Sequence, residues 1–341
     1  MPTPRSPIVF SAFDPISDTA ALRERELALD VYFAAADGDL SRLTSLLSTP
    51  EGKKAAFCQF EDIRQPTALF EAIAKSLKPC ALALLPHSDP DARDENGRTP
   101  LLAALAAKAF DVAEALLPFS DARASDHDGA TALMAAARMG GAEALAWIER
   151  LLPLSDAKAQ THQGTTALMW AAIQGSENSL RALLPRSDIE AQDSNDNTAL
   201  LVAAASISER CVAVLAPISF GGQTNRQGHS ALSLAVERHA YKIVDTLIPL
   251  VDWRIAPPKH RDAFGVACDN MTWRCADAIA AHATAQGQTV PCLRETMEDC
   301  APGDFPRTRA ALEAQAIQQA MAAGSLSGHI EAAARRAPRA L

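Results

Sequence analysis

Between Leu22 and Ala285, apolar residues come in paired blocks of helical period, and a short polar turn separates each pair from the next. The first block opens on a triplet of the Thr-Ala-Leu kind and runs into small residues, as at Ala135-Ala136-Ala137 and Ala171-Ala172. After a break, a second apolar block ends in Leu-Leu-Pro or a close variant, with the prolines at 86, 118, 153, 185, 217 and 249. Proline disfavours helix in the residue before it and has no backbone donor, so each second helix is predicted to stop there. Ser-Asp follows at 88–89, 120–121, 155–156 and 187–188. Next comes a polar turn such as Asp94-Glu95-Asn96-Gly97 or Asp126-His127-Asp128-Gly129, with glycine where positive φ is needed. The threonine after that turn is placed to cap the next first helix with its hydroxyl.

The triplets begin at Thr67, Thr99, Thr131, Thr166, Thr198 and Ser230, a spacing of 32 residues with one step of 35. Another 32 residues lead to Asp262-Ala263-Phe264, and Val31 to Ala36 has the character of an earlier unit. The period predicts about eight helix pairs, the outer two degenerate. The expected organisation is a flexible start (1–20), a repeat array (21–285), and a final region (286–341) of loop, C-terminal capping helix and frayed tail. Leu22 to Ser48 is read as an N-terminal capping pair, Gln286 to Phe305 as loop, and Thr308 to Ala323 as a closing helix.

The unit resembles the ankyrin repeat, whose sequence runs Asp-x-x-Gly-x-Thr-Pro-Leu-His-x-Ala-Ala into a helix ending Leu-Leu. Residues 94 to 104, Asp-Glu-Asn-Gly-Arg-Thr-Pro-Leu-Leu-Ala-Ala, follow it almost throughout, and the resemblance covers roughly residues 25 to 285. It departs in three ways. The family's histidine is replaced by Leu102, Met134, Met169, Leu201 and Ser233; the helix-ending glycine gives way to Pro-x-Ser; and Asp196 stands where a turn glycine belongs. The resemblance implies an all-α, ankyrin-type α-solenoid of stacked helix-turn-helix repeats with short finger turns.

Composition adds bounds. The chain has 341 residues, is 48% hydrophobic and 21% charged, and holds 41 acidic against 32 basic residues for a net charge of -9. That balance disfavours nucleic acid or an acidic membrane as the main partner. The seven cysteines form no disulfide-like framework, and no apolar run reaches the roughly 18 residues of a membrane span, so a cytoplasmic location is expected. A Pro/Ser/Thr-containing start leaves open delivery into a host cell.

Three constellations invite chemistry, and each has a plainer reading. Cys268, Cys275 and His282 are seven residues apart, about 10 Å along a helix axis, too far to share one metal ion; small packing residues suit Cys268 and Cys275. The turn histidines His127, His162 and His229 read as solvated fingertips. The acidic set Asp94, Asp126 and Asp193 reads as turn-capping. No phosphate loop, nucleophile elbow or catalytic triad is present, so no catalytic residue, metal or cofactor is expected.

In ankyrin-like stacks recognition falls to the finger turns and the outward face of the first helices. Carried over by position, the finger residues are Glu95, Asn96, Arg98, His127, Asp128, His162, Gln163, Ser194, Asn195, Arg226 and Gln227. The helix residues are Arg138, Met139, Ile173, Gln174, Ser206, Glu237 and Arg238. Met139 and Ile173 are apolar where water is expected, Trp170 stands beside the same surface or between units, and the one insertion, within Gly140 to Arg150, carries Trp147.

The leading expectation is a non-enzymatic module that binds a protein partner through a concave face, as a monomer, with no nucleic acid and no membrane. The alternatives are a translocated effector or adaptor whose repeats select a host protein, and an enzyme with a site after residue 250.

Overall fold

The computed structural model describes residues 9–10, 19–60, 67–255, 262–290, 293–299 and 303–322. The fold is all-α, of the ankyrin-type repeat solenoid class, with one small addition: Val9–Phe10 pairs in parallel with Gln59–Phe60. The residues group into two compact units, 1–171 with 178–188, and 172–177 with 189–341.

In the first unit, the long helix Thr19–Ala36 and the helix Leu40–Leu47 precede the repeats, followed by a third helix, Pro50–Ala55. Thr49 caps this last helix by accepting from the Gly52 N–H, Pro50 fills its first position, and Lys53 and Lys54 complement its C-terminal dipole. The pairs Ala68–Ala74 with Lys78–Leu84, Pro100–Ala106 with Phe110–Leu116, and Ala132–Met139 with Gly141–Leu151 then follow at the predicted period. Helices Ala167–Ile173 and Glu177–Leu183 come next along the chain. The second unit holds Ala199–Ala205 with Glu209–Leu215, Ala231–Glu237 with Tyr241–Leu247, and Ala263–Asp269 with Trp273–Ala285. The start and the tail 332–341 lie outside the described residues, apart from residues 9–10 and 19–20.

Each triplet acts as its chemistry dictates. The hydroxyl of Thr67, Thr99, Thr131, Thr166 or Thr198 accepts from the backbone N–H three residues on, at 3.2–3.5 Å, and Ser230 and Asp262 do the same at 3.2 and 2.7 Å. The alanines behind them, such as Ala104, Ala136, Ala137, Ala203, Ala204 and Ala235, are fully buried, which lets helices approach closely. Every second helix from Leu84 to Leu247 ends two residues before its proline. The serine after the proline then returns to the helix end: Ser88, Ser120 and Ser187 donate to the carbonyls of Leu84, Leu116 and Leu183 at 2.9–3.0 Å. Pro-x-Ser therefore replaces glycine by satisfying a terminal carbonyl with a side chain.

The insertion lengthens one second helix to 11 residues where its neighbours Phe110–Leu116 and Glu177–Leu183 have seven, about one added turn, so the buried face keeps its orientation. Trp147 is buried there, 6.2 Å from the Phe110 ring, and serves packing.

The C-terminal region differs from expectation at one place: 286–305, read as loop, contains the helix Leu293–Asp299, whose Leu, Arg, Glu and Met are strong helix formers. The closing helix is Pro306–Ala322. It is tied down by Asp277, a buried carboxylate that accepts from the Thr308 N–H (2.8 Å), the Thr308 hydroxyl (2.9 Å) and the Arg307 N–H (3.1 Å). An anion at a helix start meets unpaired N–H groups and a favourable dipole. Arg307 adds a two-pronged ion pair with Asp245. Nothing in the repeat period marked Asp277.

Candidate functional site: the finger-turn cleft

The finger turns are built from one local device. Asp94 Oδ1 accepts from the N–H groups of Asn96 (3.0 Å) and Arg98 (2.8 Å), and Asp126, Asp193 and Asn225 repeat this pattern on their own turns. Asp94, Asp126 and Asp193 are thus occupied in holding backbone, as turn-capping requires. Asp196 adopts φ +60°, its N–H reaching Asp193 O at 2.9 Å, so the glycine-less turn has the same shape as its neighbours. Adjacent fingers are joined by main-chain bonds: His127 N–H to Asn96 O (2.9 Å), His162 N–H to Asp128 O (2.8 Å) and, in the second unit, Arg226 N–H to Asn195 O (2.8 Å).

This stacking opens a cleft of about 290 Å³ in the first unit, between three successive fingers and their first helices. Leu102, Met134 and Ala135 give it an apolar floor, and Asp128, Arg138, His162, Gln163 and Trp170 rise along its walls. Arg98 also reaches it, but its guanidinium is committed to the fully buried Asp94 carboxylate at 2.7–2.8 Å. Arg138 stands 5.8 Å from the Trp170 ring centre, a cation–π contact that places the indole on the cleft wall. Arg138 forms no ion pair among the described residues, and the Asp128 carboxylate and the Gln163 amide have no hydrogen bond there.

Five of the eighteen expected contact residues, Arg98, Asp128, Arg138, His162 and Gln163, thus meet in one place. Glu95, Asn96 and His127 are exposed fingertips outside the cleft; the His127 ring lies over Gly97. In the second unit Ser194, Asn195, Arg226 and Gln227 are exposed on their fingers, with Arg226 Nε 3.6 Å from Asp196. Ile173, Gln174 and Ser206 line a shallow groove at the turns between the two helices of a repeat, at the far end of the first helix from its finger. Arg238 caps the same end of its helix. Glu237 is half-buried and meets His229 at 3.3 Å, and Met139 is half-buried as well, as the last residue of its helix. The three turn histidines therefore serve three different places and form no cluster.

The five cysteines among the described residues behave as packing. Cys275 is buried and Cys268 half-buried, while burial pushes the thiols of Cys58 and Cys211 up to about 11, far from the reactive thiolate range. No group of three potential metal ligands occurs among the described residues, and none of their helices is long and apolar enough to cross a membrane.

A family model of ankyrin repeats, in three copies, matches residues 31–126 and again 102–193. This is an ankyrin-repeat protein. A search of curated proteins found no match to the chain. Ankyrin repeats are generally protein–protein interaction modules, typically without enzymatic activity. In this ankyrin chain the pairs of the second unit, down to Asp262 and its helix, keep the same caps and period beyond the matched region.

Proposed function

We propose that this chain is a non-enzymatic binding module that takes a protein partner on its finger turns and first helices, centred on the cleft of Arg138 and Trp170. What carries the reading is unmet bonding capacity around an apolar floor: the guanidinium of Arg138, the carboxylate of Asp128 and the amide of Gln163 line one cleft without a polar partner, above Leu102 and Met134. In the free chain water solvates this exposed set. An interface uses it as a buried anchor pocket with a polar rim. Glu95, Asn96, His127 and His162 extend that rim along the fingers, and Ser194, Asn195, Arg226 and Gln227 form the corresponding rim of the second unit.

A photo-crosslinking residue at Gln163 tests this in the producing cell, with the same residue at Phe119, exposed away from the cleft, as control. The expected result is a discrete heavier species from position 163 that disappears when Arg138→Glu is added. Equal labelling from both positions, or none from 163, rejects the reading.

A further inference from the structure

A different surface of the second unit is built at a steric penalty. Each first helix there closes with a residue of left-handed φ: Gly175 (+65°), Ile207 (+56°), His239 (+56°) and Met271 (+53°). At the last three, paired N–H groups return to the helix end, as from Ile207 to Ala204 O and from Ser208 to Ala203 O, so the backbone shape is fixed by the fold. Glycine adopts this conformation freely, while a Cβ clashes with the carbonyl beside it, most severely for a β-branched residue such as isoleucine. Ile207 and Met271 incur that penalty while leaving much of an apolar side chain in water, at 49% and 74% exposed. Ser76 and Lys108 hold the same angle, so what sets Ile207 and Met271 apart is a large apolar side chain left open to water at a strained turn.

The turns are lateral neighbours. Ser208 Oγ donates to Ala172 O at 2.8 Å, Lys242 Nζ meets Glu209 at 3.2 Å, and Arg274 stacks on the Tyr241 ring at 3.8 Å. Ile173 belongs to the same edge, and a shallow groove runs between residues 173–175 and 206–210. Around these apolar side chains Arg210, Arg238 and Arg274 have no ion pair among the described residues. The nearby carboxylates are engaged: Glu209 by Lys242, Glu237 by His229, and Asp269 has a partner of its own.

We propose that this row of helix–helix turns is a second docking surface, for an acidic segment of a partner protein that carries apolar side chains. Apolar groups of that segment rest on Ile173, Ile207 and Met271, and its carboxylates pair with the three arginines. Charge complementarity favours a flexible acidic chain over an anionic bilayer, because a chain of net charge -9 is repelled by an extended negative plane but still presents local guanidinium groups to a narrow strand.

The test is fluorescence anisotropy of the full chain with a labelled peptide of repeated Asp-Phe-Glu-Leu units, beside a Lys-Phe-Lys-Leu peptide and phosphatidylserine vesicles. Saturable binding of the acidic peptide, weakened by salt, is expected. The double variant Ile207→Gly/Met271→Gly should weaken it roughly tenfold or more while the melting temperature rises, a combination that a purely structural role does not give. Arg210→Glu/Arg238→Glu should weaken it similarly, and Arg138→Glu in the finger cleft should leave it unchanged. No saturable binding, equal binding of the lysine peptide, preference for vesicles, indifference to the glycine or arginine variants, or loss on Arg138→Glu each overturns the proposal.

Discussion

Two kinds of turn join the helices of this protein, both need positive φ, and they meet the need differently. Finger turns use glycine at 97, 129, 164 and 228, with Asp196 the exception. Turns within the helix pairs use glycine at 38, 140, 141 and 175 but Ser76, Lys108, Ile207, His239 and Met271 elsewhere. The difference lies in what surrounds the residue. A Cβ on Gly129 would come within 3.1 Å of Thr161 Cα and 3.2 Å of His162 N in the next finger, and one on Gly97 within 2.3 Å of the His127 ring. Beside Gly175 the nearest atom is a serine hydroxyl at 3.4 Å. The fingers at Gly97 and Gly129 are thus restricted by space as well as by backbone angle, and the inner turn at Gly175 by angle alone.

The fingers also hang on side chains, whereas the inner turns close through backbone bonds. The largest expected effect follows from this. Asp94→Ala removes a buried carboxylate that holds two N–H groups and the Arg98 guanidinium, and should destabilise the protein by about 3 kcal/mol in a denaturant melt. A loss no greater than that of an exposed alanine substitution would show that the turn holds its shape without the aspartate. Gly129→Ala comes next, at about 2 kcal/mol, since both φ and the adjoining finger backbone resist the methyl group. Its effect should exceed that of Gly175→Ala, where only φ opposes; equal losses would erase the distinction between the two turn classes.

A smaller effect of opposite sign is expected at the inner turns. Ile207→Gly relieves a β-branched residue at φ +56° but adds backbone entropy to the unfolded chain, for a net gain of about 0.5–1 kcal/mol. Thermal unfolding measures it directly, and a loss of stability would mean that the exposed side chain contributes packing after all.

The sequence carried the fold because its markers are local. Thr67 and its equivalents cap helices through one hydroxyl, the prolines stop them, and a fixed period repeats both, so fold class and helix pairing could be read without coordinates. The helix Pro50–Ala55 could also have been read, since Thr-Pro-Glu-Gly-Lys-Lys has a cap, a first-position proline and basic residues at its end. Asp277 could not: its value depends on the start of a helix 30 residues away along the chain. The same limit applied to the cleft. Position within the repeat pointed to Arg98 and Arg138 alike, and only distances separate the arginine committed to Asp94 from the one standing over Trp170. Likewise the strain at Ile207 and Met271 is invisible in a sequence where the neighbouring units carry serine, lysine or histidine at that place.

Asp196 is the sharpest test of the comparison because it combines a finger position with a non-glycine residue. Aspartate tolerates the left-handed region better than isoleucine, its side chain being short and able to bond locally. Its contact with Arg226 spans 3.6 Å between side chains 44% and 66% exposed, and exposed pairs of that kind contribute little. Asp196→Gly should therefore remove a small strain and a weak ion pair while adding unfolded-state entropy, leaving stability within about 0.5 kcal/mol of the parent. The informative quantity is its ratio to Ile207→Gly in the same melting series. If glycine at 196 stabilises as much as glycine at 207, the backbone angle alone sets the penalty, and Ile207 loses its standing as a residue retained against unusual strain.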